Sequence, residues 1–186
     1  MVAAAPHSAL KETREVNLLK RIVAACDRIS DWSGKTVSWL IFPLMFTITY
    51  EVIMRYGFSA PTVWAFDTGY MLGGAMVSLG MGYVLLQKGH VRVDILYDKF
   101  SSRVKLIIDF LLTAILFFPM MAIFIYTSWQ YFVLSWARGE RSGYGIWEPT
   151  LVPFRLVILA AWVILALAGV SWFIRTTFSL FKGKDL

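Results

Sequence analysis

Cysteine, histidine and charge are all scarce in this chain. Its 186 residues include one cysteine, Cys26, and two histidines, His7 and His90. A single thiol excludes a disulfide-stapled secreted fold. A Cys/His zinc site would lack ligands. A membrane haem site needs histidines facing each other inside a bundle, but His7 falls in the N-terminal tail and His90 in a loop. No glycine-rich phosphate loop followed by lysine occurs, which excludes the common nucleotide-hydrolysing class. The Gly143-Tyr144-Gly145 run lies in a polar loop. The chain is therefore read as no enzyme, with no cofactor and no metal or substrate site of its own. Charged residues make up 16% of the sequence, against about 25% in ordinary soluble domains. Much of the surface is thus not expected to face water. The 58% apolar content excludes intrinsic disorder.

What the sequence has is long apolar runs. A spanning helix needs about 20 mostly apolar residues. Four stretches qualify, at about 36–54, 68–87, 106–136 and 154–174, and the mean hydropathy is +0.64. Turn residues divide them: Gly57 to Pro61 after the first, and Gly139, Gly143, Gly145, Pro149 and Pro153 before the last. Pro43 and Pro119 fall within spans and should bend them. A continuous helix over 104–136 would be about 50 Å long at 1.5 Å per residue, so it must tilt, bend or protrude. The fold class predicted is an all-α integral membrane protein with four transmembrane helices and an N-terminal amphipathic helix. Its parts are a tail at 1–14, an interfacial helix at 15–32 and a four-helix domain at 33–186.

Net charge is +6, and its distribution predicts orientation rather than nucleic-acid binding. With four spans, the N-terminal segment, the link after the second span and the tail share one side and hold fourteen Lys and Arg residues. The other side has Arg55, Arg138, Arg141 and Arg155. By the positive-inside rule both termini are cytoplasmic. The first 35 residues carry ten charges and no continuous apolar core, so no cleaved signal peptide is expected.

Residues 15–32 place Val16, Leu19, Val23, Cys26 and Ile29 at three- and four-residue spacing, with charges on other faces. This predicts an amphipathic helix lying in the membrane interface. Lys20, Arg21, Arg28 and Trp32 would meet lipid headgroups. The other reading is a soluble extension packed on the protein's own loops. Cys26 reads as a small buried apolar residue rather than a reactive thiol. Glu51 and Arg55 are four apart and share a helix face near the outer end of the first span. A charge in hydrocarbon is costly unless paired. The two are read as a structural pair, self-satisfied or reaching Asp67; the alternative is a substrate or proton site. Gly69, Gly73 and Gly80 put small residues along the second span, a pattern that admits close helix contact at a packing or subunit interface.

Several short motifs then occur in order. Arg55-Tyr56-Gly57-Phe58-Ser59-Ala60-Pro61-Thr62-Val63-Trp64, followed by Asp67, resembles the first loop of the small membrane subunit of TRAP transporters, the DctQ family. Gly89-His90-Val91-Arg92-Val93-Asp94 is similar to that family's element after the second helix, and Pro153 opens the last helix as expected. Asp67 stands where many relatives carry Glu. The tail before the amphipathic helix has no family counterpart. The resemblance implies a scaffold subunit of a binding-protein-dependent secondary transporter in the bacterial inner membrane. Its partners would be a large DctM-like membrane subunit, a periplasmic substrate-binding protein and membrane lipids. Substrate, an organic acid by this resemblance, and sodium would bind the large subunit and not this chain. The competing reading is a self-contained four-helix carrier or exporter, for which Glu51 is the one candidate carboxylate.

Overall fold

The computed structural model describes residues 7–87, 101–143 and 145–182. The motif residues Gly89, His90 and Asp94 lie outside these. Among the described residues six α-helices follow in order: α1 (His7–Ser38), α2 (Ile41–Gly57), α3 (Ala65–Leu86), α4 (Ser102–Leu112), α5 (Phe118–Arg138) and α6 (Val152–Lys182). A π-helical turn, Thr113–Phe117, joins α4 to α5. Four helical stretches are long and apolar enough to cross a membrane: Val16–Gly57, Ala65–Leu86, Arg103–Arg138 and Val152–Leu180. The chain is an all-α membrane protein, as the apolar runs predict.

Both prolines explain a local departure from α-geometry. Proline gives up its own bond to the carbonyl four residues back and crowds it. Four residues before Pro43 lies Trp39, and there the first span breaks: Leu40 N–H bonds Val37 O and Phe42 N–H bonds Trp39 O in tight turns. Pro119 sits in the first turn of α5, directly after the π turn, which absorbs the missing bond.

Contacts along the bundle fix the register. The Tyr50 and Trp64 rings lie 5.7 Å apart. Further down the same pair of rods, Ser33 Oγ donates to Leu79 O at 3.1 Å and Gly34 meets the Tyr83 ring. The paired numbers in each contact add to nearly the same value, so α1 and α2 run antiparallel to α3 as one rod despite the break. Helix α6 runs parallel to α3, with Gly74 against Phe154 and Gly82 against Ile164, and antiparallel to α5, with Phe124 and Trp162 rings 4.6 Å apart. Phe117 fills the space at Gly169.

The N-terminal helix is longer than the 15–32 read from the sequence. It runs His7–Ser38, and Val23, Cys26, Ser30, Ser33 and Val37 are buried against the bundle. Ser30 and Ser33 lie on this seam because each hydroxyl finds a carbonyl, Cys26 O and Leu79 O, at 3.1 Å. Asp27 reaches across to α6, accepting from Ser171 Oγ at 2.5 Å and from the Arg175 guanidinium.

The contact at Gly34 generates a prediction. A methyl group there would overlap Tyr83, and overpacking of this kind costs about 1–3 kcal/mol. Gly34→Ala should lower stability by that amount in a detergent-unfolding titration. A Gly34→Ala, Tyr83→Ala double variant should recover part of the loss.

Candidate functional site

The end of the bundle that carries the α2–α3 and α5–α6 connections gathers three carboxylates, and each fastens a loop or helix. Glu51, nearly two turns before the end of α2, holds the short connection to α3. Its Oε1 accepts from Arg55 at 2.5 and 2.9 Å. Its Oε2 accepts from the Thr62 N–H at 2.9 Å and from the Thr62 hydroxyl. The turn needs this clamp, because Ser59 adopts a positive φ of 53° and the Ala60 N–H returns to Met54 O at 2.9 Å. Trp64 then packs on Tyr50 and fixes the entry to α3. Tyr56 is exposed.

Asp67 does not join the Glu51–Arg55 pair. It lies one turn further on, fully buried, and accepts from the Ser142 hydroxyl at 2.5 Å. Ser142 belongs to the loop between α5 and α6. That loop folds back on itself: Arg141 and Thr150 form an isolated antiparallel bridge, and the Ser142 N–H donates to Pro149 O at 2.8 Å. Gly145 lies directly over the second Asp67 oxygen, with no room for a side chain. The loop is thereby latched to α3, 75 residues away in sequence.

Glu140 completes the group. It accepts from Arg155 Nη2 at 3.0 Å, joining the start of the loop to the first turns of α6, and the Arg155 guanidinium lies 5.3 Å from the Tyr131 ring centre. This hydrogen bond holds the Glu140 carboxyl below the usual carboxylate range. Beside the latched loop is an open cavity of about 620 Å³ lined by Thr68, Met71, Leu72, Arg141, Trp147 and Pro153, among others.

The predicted glycine stripe has a different surrounding from the other glycines of α3. Gly74 and Gly82 meet α6, whereas a Cβ at Gly69, Gly73 or Gly80 would find nothing within 4 Å among the described residues. Exposed Phe66, Val77 and Val84 flank this notch. Lys20, Arg21, Arg28 and Trp32 are exposed on α1. The sequence reading missed Thr62, Ser142 and Glu140 as partners. Only Glu140 and Arg155 had a visible signal, opposite charges bracketing one loop.

Chemically, this arrangement positions segments. Glu51 has both oxygens occupied by neighbours, and Asp67 is sealed under the loop. Among the described residues no group of three or more His, Cys, Asp or Glu side chains could hold a metal ion. In comparisons with known proteins, the family described as "Tripartite ATP-independent periplasmic transporters, DctQ component" matches residues 44–178. No curated protein matches the chain.

Two measurements test the latches. Asp67→Leu should free the loop, so that amides 140–143 exchange hydrogen faster by at least about tenfold, the effect of losing roughly one buried charged hydrogen bond. Acidification probes Glu140. A carboxyl held below its normal value stabilises fully above the unfolded value, about 4.3, and loses that contribution as pH falls through the lower folded value. Loop protection should therefore be flat from neutral pH to about 5 and decline in stronger acid, with the decline smaller in Glu140→Gln.

Proposed function

Because the chain belongs to the DctQ component family of tripartite ATP-independent periplasmic transporters, we propose that it is the fixed scaffold against which the large transport subunit works. It is a small multi-pass membrane subunit of such a transporter, and the family is a transporter component rather than an enzyme family. The bracing role is our reading. One observation carries it: Gly69, Gly73 and Gly80 form a notch on α3 where a Cβ would meet no described residue within 4 Å. Lipid tails are as apolar as leucine, so helices associate in membranes through close backbone packing. An unfilled glycine notch edged by Phe66, Val77 and Val84 suits a helix of the large subunit.

The acidic residues support the same reading. A self-contained carrier needs a carboxylate free to exchange a proton or meet substrate. Glu51 instead holds Thr62 and Arg55 in place. Solute, an organic acid in this proposal, and the coupling ion would bind the large subunit, after capture by the periplasmic protein. The membrane is the bacterial inner membrane with both termini in the cytoplasm, supported by fourteen basic residues on that side against four.

The decisive experiment co-purifies the chain with its large subunit. Gly73→Leu should not destabilise the isolated chain, because a Cβ at this position meets no described residue within 4 Å. It should weaken the complex on the order of tenfold, and uptake should fall in proportion to assembled complex. Uptake by this chain alone in proteoliposomes would refute the scaffold role and favour the carrier. Orientation has its own test: Ile146→Cys in a Cys26→Ser background, at a site 84% exposed in the outer loop, should react with a membrane-impermeant thiol reagent added outside spheroplasts.

A further inference from the structure

Helix α1 lies in the groove between α3 and α6, but α2 does not continue along it. Before the break at Trp39 and Leu40, α1 packs on both helices. Gly34 meets the Tyr83 ring, Ser33 Oγ donates to Leu79 O, and Asp27 accepts from Ser171. Beyond the break α2 packs on α3 and leaves α6. The sides of α3 and α6 that hold α1 nevertheless run on toward the α5–α6 loop. Thr68 and Leu72 come eleven residues before Leu79 and Tyr83. That is about three turns, so each pair shares one side of α3. Pro153 comes eighteen residues before Ser171, about five full turns, and so shares its side of α6. Thr68, Leu72 and Pro153 all line the open cavity of about 620 Å³. The cavity is therefore the part of α1's groove that α2 does not enter. Two charged side chains, Arg141 and Glu148, line it from the loop. Neither has an ion-pair partner among the described residues. Glu148 is held at a φ of 48°, a region that residues other than glycine rarely enter, and the loop that carries both charges is latched to Asp67.

We propose that a helix of the large transport subunit seats in this cleft, in line with α1. Its apolar side lies on Leu72 and Pro153, and its end is flanked by Arg141 and Glu148. The inference rests on the scaffold reading and adds a second contact to it. Leu72 is one residue, about 100°, round α3 from Gly73, so the cleft and the glycine notch take different segments of the partner. Two features favour a protein helix over lipid as the occupant. The groove already holds a helix, α1, along part of its length, and α3 and α6 keep the same sides turned to it beyond the break. The loop also presents a cation and an anion together. A helix end with one acidic and one basic residue complements both, whereas the headgroup of an acidic lipid meets Glu148 as a like charge.

The test uses the complex of the full chain with its large subunit in a lipid bilayer. A photoreactive diazirine side chain replaces Leu72 and, in a second variant, Trp147, which also lines the cavity. Both should form an adduct with one and the same helix of the large subunit, identified by peptide mass spectrometry. Arg141→Glu and Glu148→Lys should each lower the yield of the Leu72 adduct about fivefold, the upper range for an exposed ion pair. In the chain without a photoreactive residue, the same two reversals should lower the amount of large subunit retained on co-purification. Both side chains are exposed, so unchanged unfolding of the isolated variants is the control. Adducts with lipid alone, from a complex that co-purifies intact, would overturn this inference and leave the scaffold reading standing. Adduct yield and retention unchanged by both reversals would overturn it as well. Failure of the wild-type chain to co-purify with the large subunit would sink both readings together.

Discussion

Helix α6 is the surface on which the rest of the bundle is built. In a membrane the hydrophobic effect does not press helices together, so contact depends on shape and on a few hydrogen bonds. Helix α6 supplies both. Ala161, Leu165, Ala168, Ser171 and Thr176 are buried along it at three- to five-residue steps. Small residues on the two partners let large ones through: Ile164 fits at Gly82 of α3, and Phe117 fits at Gly169 of α6 itself. Ser171 and Arg175 take Asp27 of α1, and Arg155 takes Glu140. Helices α1, α3 and α5 each pack on this one rod, and α1 also packs directly on α3.

The carboxylates work as fasteners between segments remote in sequence. Glu51 closes the α2–α3 turn, Asp67 closes the α5–α6 loop onto α3, and Glu140 ties that loop to the start of α6. An acidic residue suits this task near a membrane boundary. It accepts several hydrogen bonds at once, and loops supply N–H and O–H donors that hydrocarbon cannot satisfy. The residues resembling a family motif in the first loop acquire a physical account here. Arg55 orients Glu51, Trp64 stacks on Tyr50, and Asp67 receives Ser142.

The four apolar runs were legible in the sequence because bilayer thickness imposes a length on them. The Glu51–Arg55 pair was legible because both lie on one turn. What could not be read was any relation set by tertiary contact. Asp67 sits near Glu51 in sequence, yet its partner Ser142 is 75 residues on, and serine spacing carries no signal of that pairing. The burial of Ser30, Ser33 and Gly34 could not be read either, because they look polar or flexible in a one-dimensional reading. In the bundle they are the close-contact seam of α1. Glycines on α3 were likewise indistinguishable in type, although Gly74 and Gly82 serve this chain while Gly69, Gly73 and Gly80 face away from it.

The π turn at Thr113–Phe117 bears on how this chain tolerates changes of length. A turn closed by an i to i+5 bond holds one residue more than an α-turn. Losing one residue there restores a plain helix and leaves α4 and α5 presenting the same sides to α6. Losing one anywhere else in these helices rotates everything beyond it by about 100° and turns rings such as Phe124 away from Trp162. Within a stretch of more than thirty residues that must otherwise keep strict count, these five residues are the place where descent can add or drop one without rebuilding the interface.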